Sequence, residues 1–332
     1  MIVEKLAEIY AWILSHNVQV FVILIILAIA APYLATTYII SLVIEVLIFS
    51  IFAMSLNLLI GYTGLPSFGH AAFFGIGAYI VAYISGNNEL TLGLTNNILV
   101  TLPIVIVGTG MMALLLGLLA LRTDGLYFLM ITLAFAQMLF SVAMRWSAVT
   151  GGSDGLIGVP RPGIDLGIWK YSFDSRTAFY YFVLTTFVAI LYVLQHIVNS
   201  PFGLALKGIK SNQPRMKSLG YKTLYYKIGV FVIAGAIAGI SGMLLAQFYW
   251  HTSPENLYWT MSGQVLIMVI LGGVGTLIGP IVGATLMRLL PNIASTYTSN
   301  WQSYMGLMLI LFVLYAPNGI MGILSRRHNK DQ

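Results

Sequence analysis

The chain has 332 residues, of which 59% are hydrophobic and only 8% are charged. A soluble domain carries about 45–50% apolar and about 25% charged residues, so 16 basic and 10 acidic side chains cannot cover a water-facing surface of this size. The excess apolar surface must face lipid, which excludes a soluble enzyme, a nucleic-acid-binding domain and a disordered chain. The absence of cysteine also excludes disulfides, thiol catalysis and Cys-ligated metals.

The first 16 residues place Ile2, Leu6, Ile9 and Ile13 on one helical face. This face predicts an amphipathic helix at the membrane interface over 1–16. An N-terminal extension of the first membrane span explains the same spacing. No short apolar region is followed by a small-residue cleavage site, so we expect no cleaved signal peptide.

Eight apolar runs have the length of a membrane span, because a helix crossing a core of about 30 Å needs about 20 mostly apolar residues. They are continuous rather than alternating, which is typical of helices and not of barrel strands. They fall near 18–35, 38–60, 66–84, 97–121, 125–148, 177–198, 228–250 and 301–324. We therefore expect an all-α polytopic membrane protein that forms a single domain over 1–332.

Glycine and proline interrupt the apolar pattern twice. Gly61-Tyr-Thr-Gly-Leu-Pro-Ser-Phe-Gly-His70 lies between the second and third runs, and Leu271-Gly-Gly-Val-Gly-Thr-Leu-Ile-Gly-Pro280 interrupts the stretch 263–290. The stretch 263–290 is therefore predicted to be a broken or re-entrant element. Both breaks space two glycines three residues apart, which is a weak internal repeat. Paired breaks in corresponding halves predict inverted repeats and a pathway near the midplane, whereas two unrelated kinks are the alternative.

Small residues four positions apart predict seams where helix backbones approach closely. These positions are Ala71/Gly75, Gly235/Gly239, Ala238/Gly242 and Gly275/Gly279/Gly283. They predict a compact helix bundle and carry no chemistry of their own.

Few ionisable or strongly polar residues lie inside the predicted spans. Glu45 is the only acidic residue clearly within a predicted span, and this scarcity of acids argues against an ion-coupled transporter. Glu45 itself is predicted either to form a structural pair with another span or to have a role in transport. Asn57 and Gln137 are better explained as interhelical hydrogen-bonding groups than as ligands. His70, with Phe74 on the same helical face, predicts either a substrate path or a hydrogen bond that joins helices.

The loop 200–227 contains six Lys or Arg and no acid, so the positive-inside rule places it in the cytoplasm. Asn212 and Gly220 are start and stop signals for a short helix near 213–219, and Pro214 is tolerated in its first turn. The basic residues predict either that the loop anchors at anionic lipid headgroups or that it docks on another protein.

Counting spans from this loop predicts the topology. Both termini and the turns at 61–65 and 122–124 are expected in the cytoplasm. The segments expected outside are 85–96, 149–176 and 251–262. The topology closes only if 263–290 enters the membrane and returns to the outer side. The chain has no P-loop motif and no metal-ligand spacing, so ATP-driven transport would need a second polypeptide.

Several segments, in a fixed order, resemble one family of membrane proteins. They are Leu56-Asn-Leu-Leu-Ile-Gly-Tyr-Thr-Gly-Leu-Pro-Ser-Phe-Gly-His-Ala-Ala-Phe-Phe-Gly-Ile-Gly-Ala-Tyr79, then 121–137, 150–156, 201–221 and 270–280. Together they resemble the permeases of branched-chain amino acid ABC transporters, of the LivM type, over roughly 40–325.

The resemblance implies a non-catalytic permease subunit of a binding-protein-dependent importer in the bacterial cytoplasmic membrane. Its implied partners are a LivH-like permease, two cytoplasmic ATP-binding subunits, a soluble extracytoplasmic substrate-binding protein and membrane lipid. The implied cargo is a branched-chain or other hydrophobic amino acid, and no cofactor, metal or nucleic acid is expected.

The resemblance also suggests residues for two roles. An amino acid carboxylate needs donors such as half-helix N-termini, and an aliphatic side chain needs an apolar wall. The pathway candidates are Thr63, Ser67, Phe68, His70 and Phe74. The candidates for a loop that contacts an ATPase are Lys210, Asn212, Pro214, Arg215, Met216, Leu219 and Gly220.

Three other functions remain open. The same machinery could import urea, short amides or other amino acids. An ion-coupled secondary transporter that works alone, or a membrane scaffold that transports nothing, would have the same composition.

Overall fold

The computed structural model describes residues 32–33, 35–165, 167, 170–298, 300–315 and 319–322. The predicted interfacial helix at 1–16 and most of the first predicted span at 18–35 lie outside these residues. The described chain is built almost entirely from helices, as lipid requires, because each helix satisfies its own backbone polar groups.

The helices are α1 (Thr37–Thr63), α2 (His70–Ser85), α3 (Ile98–Ala120), α4 (Leu126–Arg145), α5 (Arg176–Asn199), α6 (Pro201–Ser211), α7 (Gln213–Ser218), α8 (Thr223–Tyr249), α9 (Trp259–Gly272), α10 (Gly279–Tyr297) and α11 (Trp301–Tyr315). Single turns occupy Ser147–Thr150, Gly152–Asp154 and Pro254–Leu257. The strands are β1 (Leu156–Ile157), β2 (Gly163–Asp165), β3 (Lys170–Ser172) and β4 (His251–Thr252). β1 pairs antiparallel with β4, and β2 pairs antiparallel with β3.

The prediction of an all-α polytopic membrane protein is confirmed. Within the described residues, α1, α3, α4, α5 and α8 are long and apolar enough to cross a membrane, and α2 and α9 are shorter apolar helices. Each predicted run after the first has its helix. The chain chemistry explains several helix starts: the side chains of Asn97, Ser175 and Ser200 each accept a hydrogen bond from the first turn that follows.

α1 and α8 form the buried centre of the bundle, and α2 and α3 pack against α8. The predicted glycine seams are confirmed here. A Cβ on Gly239 would be 2.7 Å from Cβ of Thr109 in α3, and a Cβ on Gly235 would be 2.6 Å from Cβ of Ala113. Only glycine permits these helix separations.

The connections gather at two ends of the bundle. At one end, which we call the basic end, α6 lies against the end of α1 through the contact of Lys210 with Gly61. The start of α8 lies against the 121–125 turn at the same end, through the contact of Lys227 with Asp124. At the opposite end, the backbone N–H of Asn87 donates to the carbonyl of Gly158 (3.1 Å), and β1 pairs with β4. The loops predicted to share a side therefore lie together.

The broken element is a helical hairpin, which we call the α9–α10 hairpin. Its turn is 273–278, and the two helices pack antiparallel so closely that a Cβ on Gly283 would be 3.0 Å from the backbone nitrogen of Gly272. α10 runs back along α1 from Asn57 to Glu45. The break within 263–290 is confirmed, although the two helices extend beyond those bounds.

One predicted boundary is wrong. The segment 251–262 is predicted to be an outer loop and the broken element to begin at 263, but 259–262 already form the first turn of α9. Leu257 packs against Gly75 of α2, ten residues and therefore about 15 Å along the helix axis from the end of α2. Apolar length and charge, which were the sequence signals, do not record how deep a polar turn can lie when neighbouring helices cover it.

Candidate functional site

The chain between α1 and α2 enters the bundle without helical structure. α1 ends at Thr63 because Gly64 adopts the left-handed conformation (φ 70°). α2 begins at His70, whose Nε2 lies 2.7 Å from Oγ of Ser55. Ser55 is eight residues before the end of α1, so the segment 64–69 crosses a depth of about 12 Å.

Protein covers this non-helical segment, as its depth requires. Leu65, Ser67 and Gly69 are buried. The hydroxyl of Ser67 accepts a hydrogen bond from the N–H of Gly69 (3.2 Å). A Cβ on Gly69 would be 2.6 Å from the carbonyl oxygen of Thr132 in α4, so α4 lies directly against the segment.

A second helix, α9, also begins inside the bundle and beside the start of α2. The N–H of Ala71 donates to Oγ of Ser262 (2.8 Å), and the rings of Phe68 and Trp259 meet edge to face with centroids 6.2 Å apart. From this junction α2 runs to the opposite end and α9 runs to the basic end. We call the residues Phe68, Trp259 and Ser262, with the first turns of α2 and α9, the half-helix junction.

The half-helix junction combines two chemical properties. The N-terminus of each helix carries a partial positive charge. The first-turn N–H groups of Ala71, Ala72 and Met261 donate to Ser262, Gly69 and Tyr258 in this conformation. Aromatic rings line the same place, because Tyr258 packs against Phe140 of α4 (4.8 Å between centroids) next to the pair of Phe68 and Trp259. Partial positive charge attracts an anionic group and aromatic surface attracts an apolar group, which are the two parts of a hydrophobic amino acid or a similar small molecule.

The five predicted pathway residues separate into two groups. Ser67 and Phe68 lie at or beside the half-helix junction. His70 and Phe74 are fully buried and both stack on Phe52, at centroid distances of 5.5 and 4.4 Å. The hydroxyl of Thr63 donates to the carbonyl of Leu59 one turn earlier. In this conformation His70 and Phe74 belong to the packed interior, whereas Thr63 lines a polar cavity at the basic end.

Trp259 and Ser262 are not among the residues predicted from the sequence to line the pathway. Their segment was assigned to an outer loop, so the start of α9 was expected four residues too late. The available signal was Ser253-Pro254, a turn-forming pair followed within a few residues by aromatic and apolar positions.

The two glycine breaks contact each other at the basic end. The Asn57 side chain donates to the carbonyl of Thr276 (2.7 Å) and accepts from the N–H of Gly275 (2.9 Å). A Cβ on Gly61 would be 2.7 Å from the nitrogen of Gly275. The interhelical role predicted for Asn57 is confirmed. For Gln137, by contrast, the described residues offer Oε1 no hydrogen-bond partner.

Glu45 joins α1 to two other helices. It accepts a hydrogen bond from the hydroxyl of Tyr249 in α8 (2.7 Å) and lies 3.8 Å from Nη1 of Arg288 in α10. The Arg288 guanidinium also lies 3.4 Å from the centroid of the Phe49 ring. The predicted structural pairing of Glu45 with other spans is therefore confirmed.

At the basic end, α6 and α7 form the predicted loop. Oδ1 of Asn212 accepts from the N–H of Arg215 (2.9 Å), and Gly220 has a φ of 86° just after α7, so the predicted start and stop signals are confirmed. Met216 is half-buried against Gly208. The other predicted contact residues are exposed: Lys210, Asn212, Pro214, Arg215, Leu219 and Gly220.

A polar cavity of about 420 Å³ lies between this loop, the end of α1 and the 121–125 turn. Its charged lining consists of Lys210, Lys217, Lys227 and Asp124. The ammonium of Lys227 contacts Asp124 at 2.6 Å, which ties α8 to the 121–125 turn.

At the opposite end, Arg161 holds the loops to the helices. Its guanidinium lies 5.4 Å from the ring of Phe179 and 5.5 Å from the ring of Trp250, and Nη1 donates to the carbonyl of Asp174. Burial, together with repulsion from Arg176, lowers the pKa of Arg161.

The chain resembles known transport proteins along most of its length. The model of a family described as branched-chain amino acid transport system / permease component matches residues 38–316. The LivM high-affinity branched-chain amino acid transport system permease protein of Escherichia coli K12 is 27% identical over 319 residues, which cover 90% of this chain and 74% of the relative. The probable LivM permease protein of Methanocaldococcus jannaschii is 24% identical over 321 residues, which cover 82% of this chain and 90% of the relative.

A shorter similarity links the chain to a second permease. The LivH high-affinity branched-chain amino acid transport system permease protein of E. coli K12 is 30% identical over 142 residues, covering 42% of this chain and 46% of the relative. No solved structure matches the chain significantly.

Proposed function

Because this chain belongs to the family of branched-chain amino acid transport system permease components, we propose that it forms half of the translocation pathway of an ABC importer for branched-chain or other hydrophobic amino acids. The chain is a multi-pass membrane permease. The names of the LivM and LivH relatives support the cargo, and they support a LivH-like permease as the other half.

The observation that carries the proposal is the half-helix junction. A hydrophobic amino acid brings a carboxylate and an aliphatic side chain. The partial positive charge at the starts of α2 and α9 would attract the carboxylate, as helix N-termini do for anions elsewhere. Phe68 and Trp259 would contact the side chain, whose burial is worth about 1.5–3 kcal/mol for a residue the size of valine or leucine.

Transport requires that the junction open to each side of the membrane in turn. The α9–α10 hairpin is the element whose movement would do this, since α9 forms one side of the junction and the hairpin turn lies at the basic end. His70 and Phe74, buried in this conformation, would become part of the pathway only if α2 moved against α1.

The energy would come from two separate ATP-binding subunits that dock on α6 and α7, because the chain carries no P-loop. The charge of this loop supports a cytoplasmic basic end. A soluble binding protein would then deliver the amino acid to the loops of the opposite end.

Reconstitution tests the proposal directly. The chain is placed in liposomes with its cognate LivH-like permease, both ATPases and the binding protein. Uptake of labelled leucine, valine, urea and acetamide is measured with ATP, without ATP and with an uncoupler. We expect leucine and valine uptake that requires ATP and survives the uncoupler.

The other outcomes each contradict part of the proposal. Uptake confined to urea or acetamide would replace the cargo and keep the machinery. Uptake that continues without ATP and collapses with the uncoupler would indicate an ion-coupled transporter. The absence of uptake for every labelled compound, in a complex that still assembles, would indicate a scaffold.

A further inference from the structure

The C-terminal end of α1 has an unusual partner. The last turn of a helix leaves carbonyl groups without intrahelical donors and carries a partial negative charge. At Gly61 the donor is the ammonium of Lys210, which reaches from α6 and lies 2.7 Å from the carbonyl oxygen. Lys207, one turn earlier in α6, places its ammonium 5.6 Å from the centroid of the Tyr62 ring.

The other side of the same residue contacts the α9–α10 hairpin. Gly61 packs backbone to backbone on Gly275, with no space for a Cβ between them. Four residues earlier in α1, Asn57 is hydrogen-bonded to the hairpin turn at both Gly275 and Thr276. The loop, the end of α1 and the hairpin turn therefore meet at one glycine.

We infer that Lys210 is the positioning residue that transmits movement of the α6–α7 loop to the α9–α10 hairpin through the end of α1. The inference rests on the proposed function, because it requires an ATPase docked on that loop. A charge-assisted hydrogen bond resists separation more strongly than a neutral one, and a partly buried pair is weakly screened by salt. Because Gly61 packs directly on Gly275, the end of α1 cannot move toward the hairpin turn without displacing it.

The neighbouring lysines are placed differently. Lys227 belongs to α8 and contacts Asp124. Lys222 lies beyond α7, where its ammonium is 5.9 Å from the ring of Tyr225. Lys222 is therefore the matched control for loss of one positive charge from the same basic end.

The first experiment compares Lys210→Met, Lys210→Arg and Lys222→Met in the reconstituted full transporter, with labelled leucine as the cargo. We expect Lys210→Met to retain both ATPases on purification and to hydrolyse ATP, but to transport about fivefold less leucine per ATP, the lower end of ordinary coupling effects. Lys210→Arg restores a cationic donor and should recover most of this ratio. Lys222→Met should match the unaltered chain.

Two results overturn the inference. One is an unchanged ratio of leucine to ATP in Lys210→Met. The other is loss of the ATPases from Lys210→Met, which would make Lys210 a docking residue. If the unaltered chain itself fails to couple ATP hydrolysis to leucine uptake, the proposed function fails instead.

A second measurement does not depend on the folding of Lys210→Met. The chain has no native cysteine, so spin labels can be attached to Ser211→Cys at the end of α6 and Val274→Cys in the hairpin turn, both exposed positions. We expect the distance between the labels to stay constant between the nucleotide-free and vanadate-trapped transporter. A change of more than about 5 Å, the size of a one-turn helix shift, would overturn the rigid link.

Discussion

At the scale of single residues, glycine and aromatic positions explain most of the candidate site. Gly61 permits the contact between α1 and the hairpin turn, and Trp259 marks where α9 begins inside the bundle. The sequence predicted that the two glycine breaks are related, since their spacing is visible in the printed chain. It did not predict that they touch, because contact depends on the path of α10 along α1.

Replacement of Gly61 by alanine should strain this contact. The new Cβ would be 2.7 Å from the nitrogen of Gly275 and closer still to Oδ1 of Asn57. We expect a loss of about 1–3 kcal/mol in the free energy of unfolding, as for other overpacked sites, measured by thermal unfolding in detergent. Gly110→Ala in α3 is the control, since its Cβ would find only an ordinary contact, 3.7 Å from Val232. Equal stability of the two variants would contradict the prediction.

Replacement of Trp259 tests the half-helix junction. Trp259→Ala removes an aromatic wall from the junction. We expect the transport efficiency for leucine as cargo to fall more than the efficiency for alanine as cargo, so that the leucine-to-alanine ratio falls by a factor of about ten or more, given the usual value of a buried aliphatic contact. Trp259→Phe keeps an aromatic ring and should retain most of the preference for leucine. The measurement is competitive uptake in the reconstituted transporter. If both variants kept the original preference, Trp259 would not contact the cargo.

At the scale of elements, each predicted apolar run after the first has its helix, and the caps of α7 lie at the predicted residues. These features are local, because run length, cap residues and glycine signals act within a few positions. The descent of 250–258 into the bundle is not local, since α2 and α4 supply the cover that makes it tolerable. The burial of His70 has the same origin: its partner Ser55 belongs to another helix.

The α9–α10 hairpin is held to α1 at its second helix by the pair of Glu45 and Arg288. Glu45→Gln would leave Arg288 without a counterion, so we expect a loss approaching about 3 kcal/mol, the lower end for a broken buried pair. The lower end applies because 20% and 24% of the two side chains are exposed. Thermal unfolding of Glu45→Gln, Arg288→Met and the double variant measures this loss in the free energy of unfolding. The double variant should be more stable than Glu45→Gln alone, and the opposite order would contradict the pairing.

At the scale of the whole molecule, charge and loop placement predict the orientation. The loops that the charge count assigned to one side lie together, and the basic end would face the cytoplasm. In the cysteine-free chain, Ser153→Cys at the opposite end should react with a membrane-impermeant thiol reagent in intact cells. Ser218→Cys at the end of α7 should react only after the cells are permeabilised. Labelling of Ser218→Cys in intact cells would show that the basic end faces outside and would contradict the predicted orientation.

The short length of α9 has a consequence for biosynthesis. Its 14 residues span about 21 Å, less than the hydrocarbon thickness of about 30 Å, so this helix cannot be inserted as a span by itself. We expect it to enter the membrane together with α10, with its start covered by α2. The C-terminal third of the chain thus completes its insertion against a surface made earlier by the N-terminal half, so the order of synthesis becomes part of the folding pathway.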